Sequence, residues 1–352
     1  MPAAKASNSI LAKTRAKYGK RLTGKNYRDM LSLSSVTDVA TYLKNYTHYA
    51  DALAGVKDAS VHRGYLEKVL REANLKEIDQ LCRFEKSIGE RLFEYVAEKA
   101  EIDELMECVT LLAAGHPQDY LFDISTVVNR FSDVDFYALT KVRTFWELVE
   151  ALRPTKFGKV FRSFPASPTG VPDVSMIEAT LDNELYRHTF KMLDESFDGP
   201  ARDELKKLLS TQAELMNLRR IYRAKRYYGI SADLLRSQVI HANAHISKAN
   251  FERLLYAKDH NEVEEIVGST YYKKYFDRYP FEDIDYFAGM VLQEVCNRYM
   301  RFSTHPAVVM LCYIIYTEHE KENITNIIEG VRYGVPAEEI TPLLIHFDKE
   351  GA

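Results

Sequence analysis

No run of apolar residues in this sequence is long enough to cross a bilayer. The most apolar stretch, VVMLCYIIY at 308–316, is half the ~18 residues a spanning helix needs. It reads as a buried helix. The N-terminus carries basic residues but no apolar core, so no signal peptide is expected. Cysteine is scarce. Cys82, Cys108, Cys296 and Cys312 stand far apart without a CxxC pair, the pattern of buried thiols in a reducing compartment. Positive charge is not in excess: the net charge is −4 and the pI about 6.2. Nothing global draws the chain to nucleic acid or anionic lipid. The alternation and NG or DG turns of β-hairpins are missing, so the fold class is all-α. There is no phosphate loop, no GxGxxG after a strand and no GxSxG elbow. The chain reads as soluble and intracellular.

What is present is ample core material: 352 residues, 46% hydrophobic and 28% charged, enough for two or three domains or one repeated unit. The charge is unevenly placed. Lys5, Lys13, Arg15, Lys17, Lys20, Arg21, Lys25 and Arg28 fill the first 28 residues without an acid, and Glu318, Glu320, Glu322, Glu329, Glu338 and Glu339 crowd the end. Both runs read as solvated helix faces.

A short motif occurs three times: Thr47, Tyr49 and Leu53; Thr155, Phe157 and Phe161; Thr270, Tyr272 and Phe276. Its surroundings recur too. Thr23, Ser132 and Ser247 are candidate N-caps, followed by Asn26, Asp135 and Asn250, by Tyr27, Phe136 and Phe251, and by Met30, Leu139 and Leu254. A second helix begins in register, capped by Ser35, Thr144 and Asp259, with Asp38, Glu147 and Glu262 at the capping-box position. Val39, Leu148 and Val263, then Leu43, Leu152 and Val267, form its apolar face. A one-residue slip then introduces the Thr-x-aromatic motif, expected to end the helix with the aromatic and the Leu or Phe packed beneath. A breaker-rich loop and a long helical stretch (LEKVL, IEATL, AGMVL) follow in each copy. Each closes on a glycine, Gly115, Gly229 or Gly334, where a left-handed residue is expected. The units are 1–118 (with a basic N-terminal helix), 119–235 and 236–352, large repeats that bury faces against one another.

Chemistry-bearing patterns are few. HANAH at 241–245 would put His241 and His245 at i and i+4 of a helix, without the Glu of HExxH or a third ligand. They read as helix-surface histidines, and no catalytic, cofactor or metal residue is assigned. RRIYRAKR gathers Arg219, Arg220, Arg223, Lys225 and Arg226 in two turns, with Arg219, Arg223 and Arg226 on one face. It reads as a locally paired face or as a docking surface for an acidic partner; nucleic acid lacks a matching field elsewhere. The 23 tyrosines suit helical interfaces, where a ring is buried and a hydroxyl stays wet.

Taken together, ILAKTRAKYGKRLTGKNYRDML at the N-terminus, the thrice-repeated Thr-x-aromatic, ELMNLRRIYRAKRYYG at 214–229 and KENITNIIEGVRYGVPAEEI at 321–340 resemble the C subunit of prokaryotic V/A-type rotary ATPases, a relative of subunit d of eukaryotic vacuolar ATPases. Asn217, Leu218, Arg223, Lys225 and Gly229 fit the family's segment; Glu322, Asn323, Ile324, Arg332 and Gly334 fit a second copy less fully. ELMECVTLLAAG departs, with Cys108 and Thr110 at polar or basic positions. The resemblance implies three helical domains about a pseudo-threefold axis forming a hollow funnel. It implies a non-catalytic rotor subunit without cofactor or small-molecule substrate. Its partners would be the D- and F-type shaft subunits and the membrane c-type ring, with the a/I-type stator nearby, on the cytoplasmic face. It would pass torque coupling ATP hydrolysis or synthesis to H+ or Na+ movement. Two alternatives stay open: a helical-repeat adaptor, and a metal-dependent hydrolase using HANAH.

Overall fold

The computed structural model describes residues 3–56, 61–86, 90–122, 124–165, 170–242 and 244–345. Residues 57–60 of the first breaker loop, 166–169 of the second and Asn243 of HANAH lie outside them. Every regular element among the described residues is helical. A basic helix, α1 (Ala3–Tyr18), leads in. Three short helices follow, α2 (Gly24–Leu31), α3 (Val36–Tyr46) and α4 (Ala50–Leu53), then two long ones, α5 (Arg63–Lys86) and α6 (Leu92–Ala113). The same recipe returns as α7 (Phe136–Leu139), α8 (Phe145–Leu152), α9 (Gly158–Arg162), α10 (Val174–Ser196) and α11 (Gly199–Arg223). After α12 (Ala232–Gln238) it returns again as α13 (Lys248–Tyr256), α14 (His260–Gly268), α15 (Lys273–Phe276), α16 (Ile284–Phe302) and α17 (Pro306–Tyr333), with α18 (Ala337–Ile340) last.

Local chemistry sets the ends. The side chains of Ser35, Thr144 and Asp259 accept the N–H groups of Asp38, Glu147 and Glu262 at 3.1, 3.2 and 3.0 Å, the N-cap bond. Glu147 and Glu262 reach back past the cap to the N–H of Arg143 and Lys258. Asp38, one methylene shorter, instead accepts the Ser35 hydroxyl. Ser247 caps α13 as expected, and Asn26 accepts the N–H of Thr23 ahead of α2. Ser132 does not cap. Its hydroxyl accepts the Val134 N–H, and Asp135 takes the cap by accepting from Ala138, so α7 starts three residues late.

The Thr-x-aromatic motif has one geometry in all three places. Each threonine hydroxyl donates to a carbonyl of the helix it ends, Leu43, Leu152 or Val267, and accepts the N–H of Tyr49, Phe157 or Tyr272 at 3.2–3.3 Å. One group therefore stops a helix and starts a turn. The slip in the sequence is one extra residue in α3: Thr47 bonds four residues back, Thr155 and Thr270 three. The aromatics Tyr49, Phe157 and Tyr272 are buried, as are Leu53 and Phe161. Phe276 is only half-buried. In the third copy the turn closes from Tyr275 to Tyr272, a residue tighter, and Tyr275 goes deep instead.

Gly115, Gly229 and Gly334 all have positive φ (78°, 58° and 65°) where a helix ends, the left-handed closure glycine permits. The 308–316 run lies in α17 and is buried throughout, so it is apolar all round for a central helix. The long helices pack in sequence: α6 on α10, α11 on α16, and α17 on α5. The second long helix of each copy thus meets the first long helix of the next, and the last copy meets the first. A second core joins Leu22, Tyr27, Met30, Leu43 and Leu66 to Ile324, Ile327 and Ile328 of α17.

Candidate functional site

The basic segment lies at the end of α11. Its face forms as the spacing implies: Arg219, Arg223 and Arg226 all reach the start of α16. Arg219 and Arg223 share the Asp285 carboxylate at 2.6 and 2.5 Å, and Arg226 donates to the Glu282 carbonyl at 3.0 Å. Arg220 turns the other way, ion-paired with Asp182 and donating to the Gln238 carbonyl. Burial pushes the Lys225 ammonium below its usual range, against the pull of Glu262. Much of the positive charge is therefore balanced within the chain. Arg223 remains 50% exposed, and Tyr227 and Tyr228, beside it, are 63% and 74% exposed. Arg226 lies over the Tyr227 ring at 5.3 Å, a cation–π contact.

Deeper in the same long helices, a buried glutamate joins each copy to the next. Glu214 of α11, 0% exposed, accepts the N–H groups of Ala244, His245 and Ile246 and the hydroxyl of Tyr272. Glu320 of α17 accepts the N–H of Leu22, the hydroxyl of Tyr49 and the Arg21 guanidinium, with His48 at 3.2 Å. Leu22 and Ile246 each precede a copy's first short helix, and Tyr49 and Tyr272 are the aromatics of the threonine motif. Glu104 of α6 accepts from the Ser125 N–H at 3.3 Å and pairs with Arg71 at 3.0 Å. Arg21 also reaches Glu77, and Tyr313 donates to Glu77. The basic N-terminus and the acidic C-terminus are largely solvated, with Lys13, Lys20, Lys25, Arg28, Glu322, Glu338 and Glu339 exposed, but Arg21 and Glu320 are buried against each other.

Three residues after Glu214 stands Asn217, and three after Glu320 stands Asn323. Asn217 donates to the Ile240 carbonyl and accepts the Ile240 N–H at 2.8 and 2.7 Å; Asn323 does the same with Ile345 at 2.6 and 2.8 Å. Both helices then end on a left-handed glycine after an exposed tyrosine, Tyr228 or Tyr333. Asn217 and Gly229 are one residue further apart than Asn323 and Gly334, and Ala224–Tyr228 is a π-helical turn that holds such an extra residue. A family model, ATP synthase (C/AC39) subunit, matches residues 10–343. The chain belongs to that family. Comparison with curated proteins finds no match.

For a C/AC39 subunit the remaining sequence candidates are quickly placed. None of the described residues of HANAH is helical. His241 and His245 lie in the segment between α12 and α13, because the Glu214 carboxylate draws in consecutive N–H groups there that a helix would direct along its axis. His245 stacks on Tyr271 at 3.9 Å. Among the described residues no three His, Cys, Asp or Glu side chains form a metal-binding group, and no helix is long and apolar enough to cross a membrane. The four cysteines are buried and unbridged. A cavity of 640 Å³ opens between α5, α6 and α17, lined by Arg71, Asn74, Lys99, Glu104, Glu318 and Lys321 among others. The joint-forming glutamates were missed by sequence reasoning. Their signal was a Glu three residues before Asn217 and again before Asn323, hidden at 320 by the acidic run around it.

Proposed function

We propose that this chain is the central-stalk rotor subunit of a V/A-type ATPase or ATP synthase. It would be non-catalytic, linking the D- and F-type shaft subunits to the membrane c-type ring, with the a/I-type stator nearby on the cytoplasmic face. Its work is to carry torque that couples ATP turnover to H+ or Na+ transport. The carrying observation is family membership over 10–343. The cyclic order of helix contacts, α6 to α10, α11 to α16 and α17 to α5, supports a hollow, pseudo-threefold body built from units 1–118, 119–235 and 236–352. Arg219, Arg220, Arg223, Lys225 and Arg226 are proposed to border a docking surface for an acidic partner, and its exposed part is Arg223, Arg226, Tyr227 and Tyr228, with Lys225 half-buried beside them. The test is recovery of the tagged chain from detergent-solubilised native membranes with mass spectrometry of its companions. Head, shaft and ring subunits are expected. Recovery with unrelated soluble proteins would replace this reading by that of a helical adaptor.

A further inference from the structure

The three joints follow one plan but are unequally built. At the joint of the second copy to the third, Glu214 gathers three backbone N–H groups and a tyrosine hydroxyl. At the joint of the third to the first, Glu320 gathers Leu22, Tyr49, Arg21 and His48. At the joint of the first to the second, Glu104 has, among the described residues, one long bond from Ser125 and the Arg71 pair. Further polar contacts across this joint, Thr126 to Glu72 and His188 to Glu98, involve exposed or partly exposed side chains of the second copy. The aromatic that elsewhere supplies a hydroxyl is here Phe157. The motif's middle residue, Lys156, pairs instead with Glu101, a turn away on α6 at 2.5 Å. The hydroxyl of the nearby buried Tyr120 has no hydrogen-bond partner among the described residues. Glu104 also lines the 640 Å³ cavity, with Glu72 and Glu107 adding negative charge beside it and the buried Cys108 thiol on the same helix.

We propose that this first joint is the seam of the molecule, the place where α6 and the second copy part before either other joint loosens. A carboxylate with few donors loses little when its neighbours move away, whereas Glu214 and Glu320 would each strand several buried polar groups. What the seam serves rests on the rotor reading: a socket that spreads between its first two copies admits a shaft tip without unfolding.

Hydrogen–deuterium exchange of the isolated chain tests it. The Ser125, Val127 and Val128 amides are expected to exchange at least about tenfold faster than those of Ala244–Ile246 and Leu22. Equal or slower exchange at 125–128 overturns the proposal. Phe157→Tyr, which adds the missing hydroxyl, is expected to slow exchange at 125–128 several-fold. Tyr272→Phe is expected to bring 244–246 toward the rate at the seam, and no change in either variant would also count against it. The exchange pattern belongs to the chain alone, whereas co-purification tests the rotor reading, so failure of one is distinguishable from failure of the other.

Discussion

Glu320→Gln would leave the Arg21 guanidinium, 7% exposed, without its buried counter-charge. Breaking such a pair from one side costs about 3–5 kcal/mol, so a loss of this size in urea unfolding is expected. Loss under 1 kcal/mol would mean that Glu77 alone neutralises Arg21. The two ends of the pH range should separate the joints. Arg21, with help from His48 and the Leu22 N–H, overcomes burial and holds the Glu320 carboxyl at about 2, below its ordinary 4.5. The unfolded chain therefore binds the proton more readily, and Glu320's contribution is complete above 4.5 and lost as pH falls toward 2. Burial raises Glu104 to about 7 despite Arg71. There the folded chain holds the proton more tightly, so stability falls as pH rises from 4.5 to 7 and is flat above. Glu104→Gln should flatten the fall between pH 5 and 7, read as melting temperature against pH; an unaltered slope would assign it to other groups. None of this was legible in the sequence, because a glutamate's burial depends on donors that arrive from other copies.

At the scale of helices, local rules were enough. The second-helix caps, the threonine turns and the closing glycines could be read because donor and acceptor lie within five residues. Thr155→Val keeps the side chain's bulk while removing one donated and one accepted bond. It is expected to cost about 1–2 kcal/mol, and the same change at Thr270 should add to it, as the sites share no partner. Two glycines at the end of α17 should respond differently to alanine. At Gly334 a Cβ meets open space, so only the left-handed φ of 65° resists, roughly 1 kcal/mol. At Gly330 it would overlap the Ile340 side chain. Helix propensity alone favours alanine there, yet Gly330→Ala is expected to be the more damaging of the two by denaturant midpoint. Where local reading failed, a competing partner was near. Asp135 displaced Ser132 as a cap, and Glu214 held Ala244 and His245 out of the helix that the HANAH spacing suggested.

For the molecule as a whole, docking should be electrostatic and separable from folding. Arg223→Gln with Lys225→Gln is expected to weaken co-purification with partner subunits several-fold at low salt and less at high salt. The melting temperature should hold nearly constant, since the half-exposed Arg223–Asp285 pair contributes at most about 1 kcal/mol. Partner recovery unchanged at low salt would remove the segment from the docking surface. By itself the sequence determined the helical class, most of the helix ends, the threefold recurrence of one turn and the resemblance that the family match bears out, all carried by short-range spacing. The tertiary structure alone decided that the last long helix returns to the first copy and that Arg21 finds Glu320 across 299 residues. It also decided that three similar glutamates end in unequal surroundings. Those outcomes depend on which surfaces meet once the helices pack, and spacing along a chain does not encode that meeting.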